Sequence, residues 1–372
     1  MCSAFFILKV LYNLNRFRYF YIFVANKCGL MKKQRVSLDD IARSVGVSKA
    51  VVSLVMNGKA EQYGISERTR IRVLDRARDL NYKPNQLARG LRLGYTNTIG
   101  LIVSDISNSF YAAIARNVED LAASVGSNVI ICSTDEDIEK ERKLIKLLRN
   151  RQVDGIILSS SQENAEELRN YYSDGLPLVL IDRCFDNSGI PSVVVDNFNG
   201  GKQIAEHLSK SGYQKPMVLT LSTSHISTVK HRFEGYKYAW QQKGVKIDIV
   251  EIPFGDISRA VSELLMTRFK QNSMPDCLFA VNNNLATAVL QSCSNLGIRI
   301  PEDMALTCFD DLPYFSFIKP SVTAVSQPIS DICTKAFEML MHQVRMDEVE
   351  NVQHLSVLPI KLNVRESSSR QR

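Results

Sequence analysis

The most specific chemistry in the chain lies in Ser37–Asn57, SLDDIARSVGVSKAVVSLVMN. Lys49, Ala50, Ser53 and Leu54 fall on one side of a short apolar segment there. A short helix that keeps its inner side regular and varies its outer side suits the major groove of duplex DNA. The spacing predicts the two helices such a reader needs. Ser37 and Asp40 form a capping-box pattern at the start of the first, and Ile41, Ala42 and Val45 share its inner face. Gly46 supplies the turn. Ser48 is an N-cap candidate for the second helix, and Val52 and Val55 form its inner face. After a loop from Gly58 to Ile65, Ser66 caps a third helix in which Val73, Leu74, Ala77 and Leu80 keep helical spacing.

Charge follows this division. The chain has 372 residues and a net charge of +7. Residues 31–95 hold fourteen Lys/Arg against six Asp/Glu, residues 1–30 hold four Lys/Arg and no acid, and the rest sums to −5. A basic head on a mildly acidic body predicts that only the head meets a polyanion. Other chemistries find no motif. GxGxxG, GxxxxGK[ST] and GxSxG are absent, and His207, His225, His231, His342 and His354 show no metal-ligand spacing. The eight cysteines have no CxxC pairing and sit mostly in apolar runs, which predicts buried free thiols in a reducing, cytoplasmic compartment. No cofactor, metal or catalytic function is expected.

Residues 1–30 differ from the rest, being aromatic-rich and acid-free. Lys9, Asn13, Asn15, Arg16 and Arg18 interrupt the run of about 20 apolar residues that a membrane span needs. MKKQRVSLDD from Met31 reads like a natural start, so 1–30 is expected to be a misassigned upstream extension, with a membrane anchor as the alternative. The expected head is 31–82, followed by a hinge and linker at 83–96. There Pro84 stops the third helix, and Asn85–Leu91 can form two turns, too few for stability alone. Leu91, on this short basic segment, is expected to wedge between base steps in the minor groove when the segment folds on DNA.

From Thr98 short apolar runs alternate with amphipathic helices. The runs are 98–103, 128–132, 155–159, 178–181, 192–195, 217–221, 248–252, 277–281 and 305–309. Tyr111–Val125, Asp137–Asn150, Gly201–Ser211, His231–Lys243, Ser258–Lys270, Leu285–Leu296 and Ile329–Gln343 are the intervening helices. This alternation predicts parallel sheets covered on both faces. The length of 97–372 predicts two Rossmann-like subdomains with a cleft at the strand carboxyl ends. The fold class is therefore an all-α helix-turn-helix head plus an α/β core.

The blocks VSLDDIARSVGVSK, LNYKPNQLARGLR, TIGLIVSDISNSFYAAIARNVED, RQVDGIILS, PLVLIDR, PSVVVDN, RFEGY, GIRIPEDMAL and FDD, in this order, resemble the LacI-type family of bacterial transcription regulators, from Val36 to Ser367. The resemblance implies a core like type I periplasmic binding proteins and a homodimer on a pseudo-palindromic double-stranded operator. It also implies control by a small effector, most simply a sugar or sugar derivative acting on a repressor. By motif match, Lys49, Ala50 and Leu54 stand in base-reading slots, with Lys49 suited to guanine and Ala50 to a thymine methyl. Leu54 departs from relatives that carry a polar residue. Ser48, Ser53 and Asn57 match backbone-contacting or buttressing positions, Leu91 the minor-groove wedge, and Ala88 the hinge position beside it. The implied effector pocket is Phe110, Tyr111, Asp182, Arg183, Thr228, Arg232, Phe254, Asn282, Asp310 and Gln327. Aromatic faces, a forked donor and carboxylate acceptors match a hydroxyl-rich ligand. The alternative function is a solute-binding protein for transport. It would share the core but need an export signal and have no use for a basic head.

Overall fold

The computed structural model describes residues 36–82, 95–222, 226–345 and 354–370. They fall into two compact units, the head and a core that begins, among the described residues, at Tyr95. The predictions for Ala88, Leu91, His225 and residues 1–35 lie outside the described residues.

In the head, α1 (Leu38–Val45), α2 (Lys49–Met56) and α3 (Glu67–Asp79) enclose one apolar centre. It is built from Ile41, Ala42, Val45, Val52, Val55, Ala60, Val73 and Ala77. The capping box is complete: Asp40 N–H donates to Ser37 Oγ at 3.2 Å, and Ser37 N–H donates to Asp40 Oδ2 at 2.9 Å. Gly46 ends α1 at φ 74°, left-handed space that a glycine enters without steric cost. The expected loop from Gly58 to Ile65 is present and folds as a closed turn. Ile65 N–H donates to Ala60 O at 2.9 Å, with Ala60 buried beneath it.

The core holds two sheets of six strands. In the first, β1 (Thr98–Val103), β2 (Asn128–Ser133), β3 (Gly155–Leu158), β4 (Leu178–Ile181), β5 (Ser192–Val195) and β11 (Leu355–Leu358) run in the order β11-β5-β4-β3-β1-β2, all parallel. In the second, β6 (Pro216–Leu221), β7 (Asp248–Ile252), β8 (Cys277–Ala280), β9 (Ala305–Phe309), β10 (Thr323–Ser326) and β12 (Lys361–Asn363) run β12-β10-β9-β8-β6-β7, with only β12 antiparallel. The inner strands are buried almost throughout and mostly apolar, as expected of parallel strands covered on both faces. The covering helices are α4 (Ser109–Ser124), α5 (Ile138–Asn150), α6 (Glu166–Ser173), α7 (Asn197–Lys210), α8 (Ser227–Gln241), α9 (Ile257–Lys270), α10 (Asn283–Leu296) and α11 (Ile329–Arg345).

The sheets are not consecutive in sequence. The chain crosses after β5, returns after β10 so that α11 packs on α4 and β4, and crosses again between β11 and β12. All nine predicted strands form. Strands β10, β11 and β12 and helix α6 were not predicted, because short segments that close a crossover carry little periodicity of their own. Five helices begin earlier than expected: α4 at Ser109; α7 at Asn197, capped by Asp196; α8 at Ser227; α9 at Ile257; and α10 at Asn283, capped by Asn282. No helix among the described residues is long and apolar enough to cross a membrane. Cys277, Cys293, Cys308 and Cys333 are buried free thiols, while Cys132 and Cys184 are half-buried.

Helices α7 and α8 touch backbone to backbone. A Cβ on Gly235 would lie 1.9 Å from Phe198 O, and one on Gly201 would lie 2.0 Å from Arg232 O. No side-chain rotation relieves a clash with a carbonyl. Gly235→Ala should therefore force α7 and α8 apart at a cost typical of overpacking, lowering the melting temperature of the core by roughly 5–10 °C. Scanning calorimetry of the full chain reads this directly, and an unchanged melting temperature would remove the close-contact account.

Candidate functional site

In the head, Ser48 caps α2 by accepting from Val51 N–H at 3.3 Å, leaving Lys49 and Ala50 exposed on the first turn. Ser53 and Leu54 are half-exposed on the following turn. Asn57 is a buttress: its Nδ2 donates to Ser53 O at 2.7 Å and closes the end of α2. Lys49 is not a free cation, since its Nζ lies 2.7 Å from Asp39 Oδ2 on α1. Both groups are more than half exposed, so this ion pair is weak and can be exchanged for a stronger partner. Most of the arginines of α3 are paired within the head. Arg70 pairs with Glu67, Arg78 with Asp75 and Arg76 with Asp79, and Arg72 Nη2 donates to Val45 O at 2.7 Å.

In the core, Asp182 follows β4 and Asp310 follows β9. These strands hold equivalent places in the two sheets. Both residues take left-handed backbone, at φ 65° and φ 75°. Each donates its N–H to the neighbouring strand at 3.0 Å, Asp182 to Val193 O and Asp310 to Val325 O. A left-handed turn at a non-glycine residue costs about 1–3 kcal/mol and persists only where the surroundings impose it. The two carboxylates face the same cation. Arg232 Nη1 is 3.3 Å from Asp310 Oδ2, and Arg232 Nη2 is 4.0 Å from Asp182 Oδ1. Arg232 is itself held by Asn197 Oδ1 at 2.9 Å and Val281 O at 2.9 Å, with its guanidinium stacked 3.7 Å above the Phe309 ring centroid. Burial pushes the Asp182 carboxyl up, although Arg183 and Arg232 both pull it down.

Arg183, next along, makes a different set of bonds. Its Nη1 donates to Glu136 Oε2 at 2.8 Å and to Ser160 O at 2.9 Å, and its Nη2 donates to Glu136 Oε1 at 2.5 Å. Burial would raise the Glu136 carboxyl, but the Arg183 guanidinium holds it below the usual carboxylate range. Ser160 is fixed from behind by Glu141, a fully buried carboxylate that accepts from Ser160 Oγ, Ser161 N–H and Gln162 Nε2. Tyr111 Oη donates to Asp182 Oδ2 at 3.0 Å, and its ring meets Phe110 edge-on at 5.0 Å. Asn108 of the first subdomain and Asn283 of the second hydrogen-bond across the cleft at 2.8 Å.

Nine of the ten expected pocket residues line one cavity: Phe110, Tyr111, Asp182, Arg183, Thr228, Arg232, Phe254, Asn282 and Asp310. Gln327 does not line it. Its Nε2 donates to Asp310 Oδ1 at 2.5 Å, so it acts by holding that carboxylate. Ser104, Asp105, Asn108, Glu136 and Asn284 line the cavity and were not expected. Each lies within a few residues of a strand's end, where polar side chains are common. Asp311, the second acid of FDD, belongs to the frame: it pairs with Arg365 at 2.6 Å and ties down the C-terminal segment. The cavity measures about 50 Å³, room for a few waters and well short of the ~300 Å³ at which ligand pockets begin. The walls must part for a ligand to enter.

Comparison with known proteins follows this division. Residues 37–85 match the family described as bacterial regulatory proteins, lacI family, and residues 96–364 match periplasmic binding proteins and sugar binding domain of LacI family. The ribose operon repressor of Halalkalibacterium halodurans is 32% identical over 333 residues, 89% of this chain and 97% of its own length. Catabolite control protein A of Priestia megaterium is 30% identical over 338 residues, 90% of this chain and 99% of its own. Among solved structures, the lac repressor dimer bound to operator and the anti-inducer ONPF has a TM-score of 0.77 at 20% identity, covering 91% of this chain and 100% of that one, a likeness of fold. A periplasmic binding protein/LacI transcriptional regulator from Alkaliphilus metalliredigens, complexed with D-xylulofuranose, has a TM-score of 0.65 at 28% identity, covering 73% of this chain and 98% of that one. With a groove-reading head and a two-sheet core each matched over its length, the chain belongs to the lacI family of bacterial regulatory proteins and is a transcriptional regulator.

Proposed function

We propose that this chain is a homodimeric repressor that reads a pseudo-palindromic operator with Lys49, Ala50 and Leu54 in the major groove and Leu91 in the minor groove. A small sugar or sugar derivative bound among Asp182, Arg232 and Asp310 controls it. The observation that carries the reading is the buried trio itself: one guanidinium held between carboxylates from both subdomains, at the carboxyl ends of equivalent strands. Ligands of doubly wound folds bind at such strand ends. The names of relatives agree, since one is a ribose operon repressor and another was solved with D-xylulofuranose. The solved lac repressor is a dimer on its operator. A solute-binding role is not favoured, because it would leave the exposed face of α2 without a use. The chain is assigned to the cytoplasm and given no catalytic step.

Two partners with complementary demands share the work. The head needs phosphates to position it and base edges to specify it. The core needs a ligand that binds its open and closed forms unequally, since only that difference can shift DNA affinity.

Genomic operator selection followed by footprinting, with and without sugars, tests the whole reading; no protected site, or one indifferent to every sugar, would refute it. On a selected operator, Lys49→Ala should relax preference at one base pair by about 1–3 kcal/mol, while Leu91→Ala should weaken specific binding and spare effector binding. Gel-shift titrations against single-base operator variants check both. Phe254, half-buried in a short turn at the cavity wall, can be cut back without stranding a buried charge. Phe254→Ala should weaken effector binding about tenfold and leave operator affinity alone, as calorimetric titration would show. Arg232→Ala should abolish the effector response, but it also removes the guanidinium paired with Asp310, while Asp182 keeps Arg183 at 3.6 Å. A melting-temperature drop should therefore accompany it.

A further inference from the structure

We propose that the cleft takes an uncharged polyhydroxyl ligand and rejects the phosphorylated or carboxylated forms of the same sugar. This rests on the polyhydroxyl-effector reading above and narrows it. Among the described residues the cavity is lined by four carboxylates, Asp105, Glu136, Asp182 and Asp310, against two guanidiniums, Arg183 and Arg232. The cations are largely committed: only Arg183 Nε and Arg232 Nη2 make no described hydrogen bond, and both face Asp182. Both Nη groups of Arg183 are taken, by Glu136 and Ser160 O. Arg232 spends Nε on Asn197 and Nη1 on Val281 O and Asp310. A phosphate or carboxylate entering here would add charge to a buried excess of the same sign, and the two guanidinium nitrogens left open already face the Asp182 carboxylate.

What remains open is a set of single donors and acceptors. Arg183 Nε is buried without a hydrogen-bond partner, 3.6 Å from Asp182 Oδ2. Arg232 Nη2 and Asp182 Oδ1 stand 4.0 Å apart, too far for a direct hydrogen bond. A hydroxyl between them can donate to the carboxylate and accept from the guanidinium in one step. Neighbouring hydroxyls on a sugar can repeat this without altering the charge of the site. One first-turn amide of each of α4 and α10 is already taken, because Asn108 Oδ1 and Asn282 Oδ1 accept from Phe110 N–H and Leu285 N–H at 3.0 Å. Helix α8 begins without a side-chain cap at the cavity wall. Its first turn is where a phosphate would find donors, so a phosphorylated sugar is the decisive comparison.

The full chain is titrated by calorimetry and thermal shift with free D-ribose, D-glucose and D-sorbitol, with each sugar's phosphomonoester, and with the aldonic acids. Neutral compounds should raise the melting temperature, and the best of them should bind at least about a hundredfold more tightly than its own phosphate. Glu136→Gln removes one charge and releases the fork of Arg183, so it should narrow that ratio about tenfold or more. Asp105→Asn, a half-buried rim position, provides the same direction of change in case the first variant fails to fold. A phosphate or acid binding as tightly as its neutral parent would overturn the charge class while leaving the cleft as the effector site. A preference that stays unchanged in both variants would overturn it too. No shift with any compound of either charge would overturn both the class and the effector reading beneath it.

Discussion

The core depends on a single buried cation shared between two halves. Arg232 donates to Asp310 within its own subdomain at 3.3 Å and stops 4.0 Å short of Asp182 on the other. The asymmetry matters energetically. Taking charges out of water costs several kcal/mol per ion, and good geometry must offset it. Asn197, Val281 O and the Phe309 ring supply that geometry on one side only. Arg232 is therefore anchored in the second subdomain, and its contact with Asp182 is the longer one.

The close packing of α7 and α8 is what allows this. Their glycines meet at carbonyls, one of them the carbonyl of Arg232 itself. Helix position and guanidinium position are thus one variable. Gln327, directly after β10, sets Asp310 from the strand on which the chain crosses back to the first sheet. A movement at that crossover would carry Gln327, and with it one carboxylate of the trio. Glu141 plays the matching part in the first subdomain, where it fixes Ser160 and through it Arg183.

Much of this was legible in the sequence, and the parts that were not share a physical cause. Helical spacing and caps marked the head closely, because Ser37, Gly46 and Ser48 act within a few residues of themselves. The nine central strands were visible because burial on both faces leaves continuous apolar runs. Asp182, Arg232 and Asp310 were reached through motif resemblance, and periodicity alone would not have found them. Glu136 and Glu141 escaped notice because an acid near a strand end is ordinarily a solvated one. Only the fold shows that Arg183 and the segment 159–162 close over them. Strands β10 to β12 escaped notice because their partners lie across a crossover, not in the neighbouring sequence. Gln327 lies beside the site as expected but plays a different part, holding Asp310 while the cavity wall passes it by.

How a ligand acts then follows from what the closed cleft lacks. Across the cavity, the described polar contacts include Asn108 with Asn283 and Cys184 N–H with Ser227 Oγ, each a neutral bond worth about 0.5–1.5 kcal/mol net. The charged pair across the same gap is left unclosed at 4.0 Å. A ligand moves an equilibrium between open and closed forms tenfold for each differential affinity of about 1.4 kcal/mol. A hydroxyl bridging Arg232 and Asp182 makes bonds that exist only when both walls are present. The ligand's affinity for the two forms then differs by about the strength of those bonds, and that difference is what the core has to pass to the head.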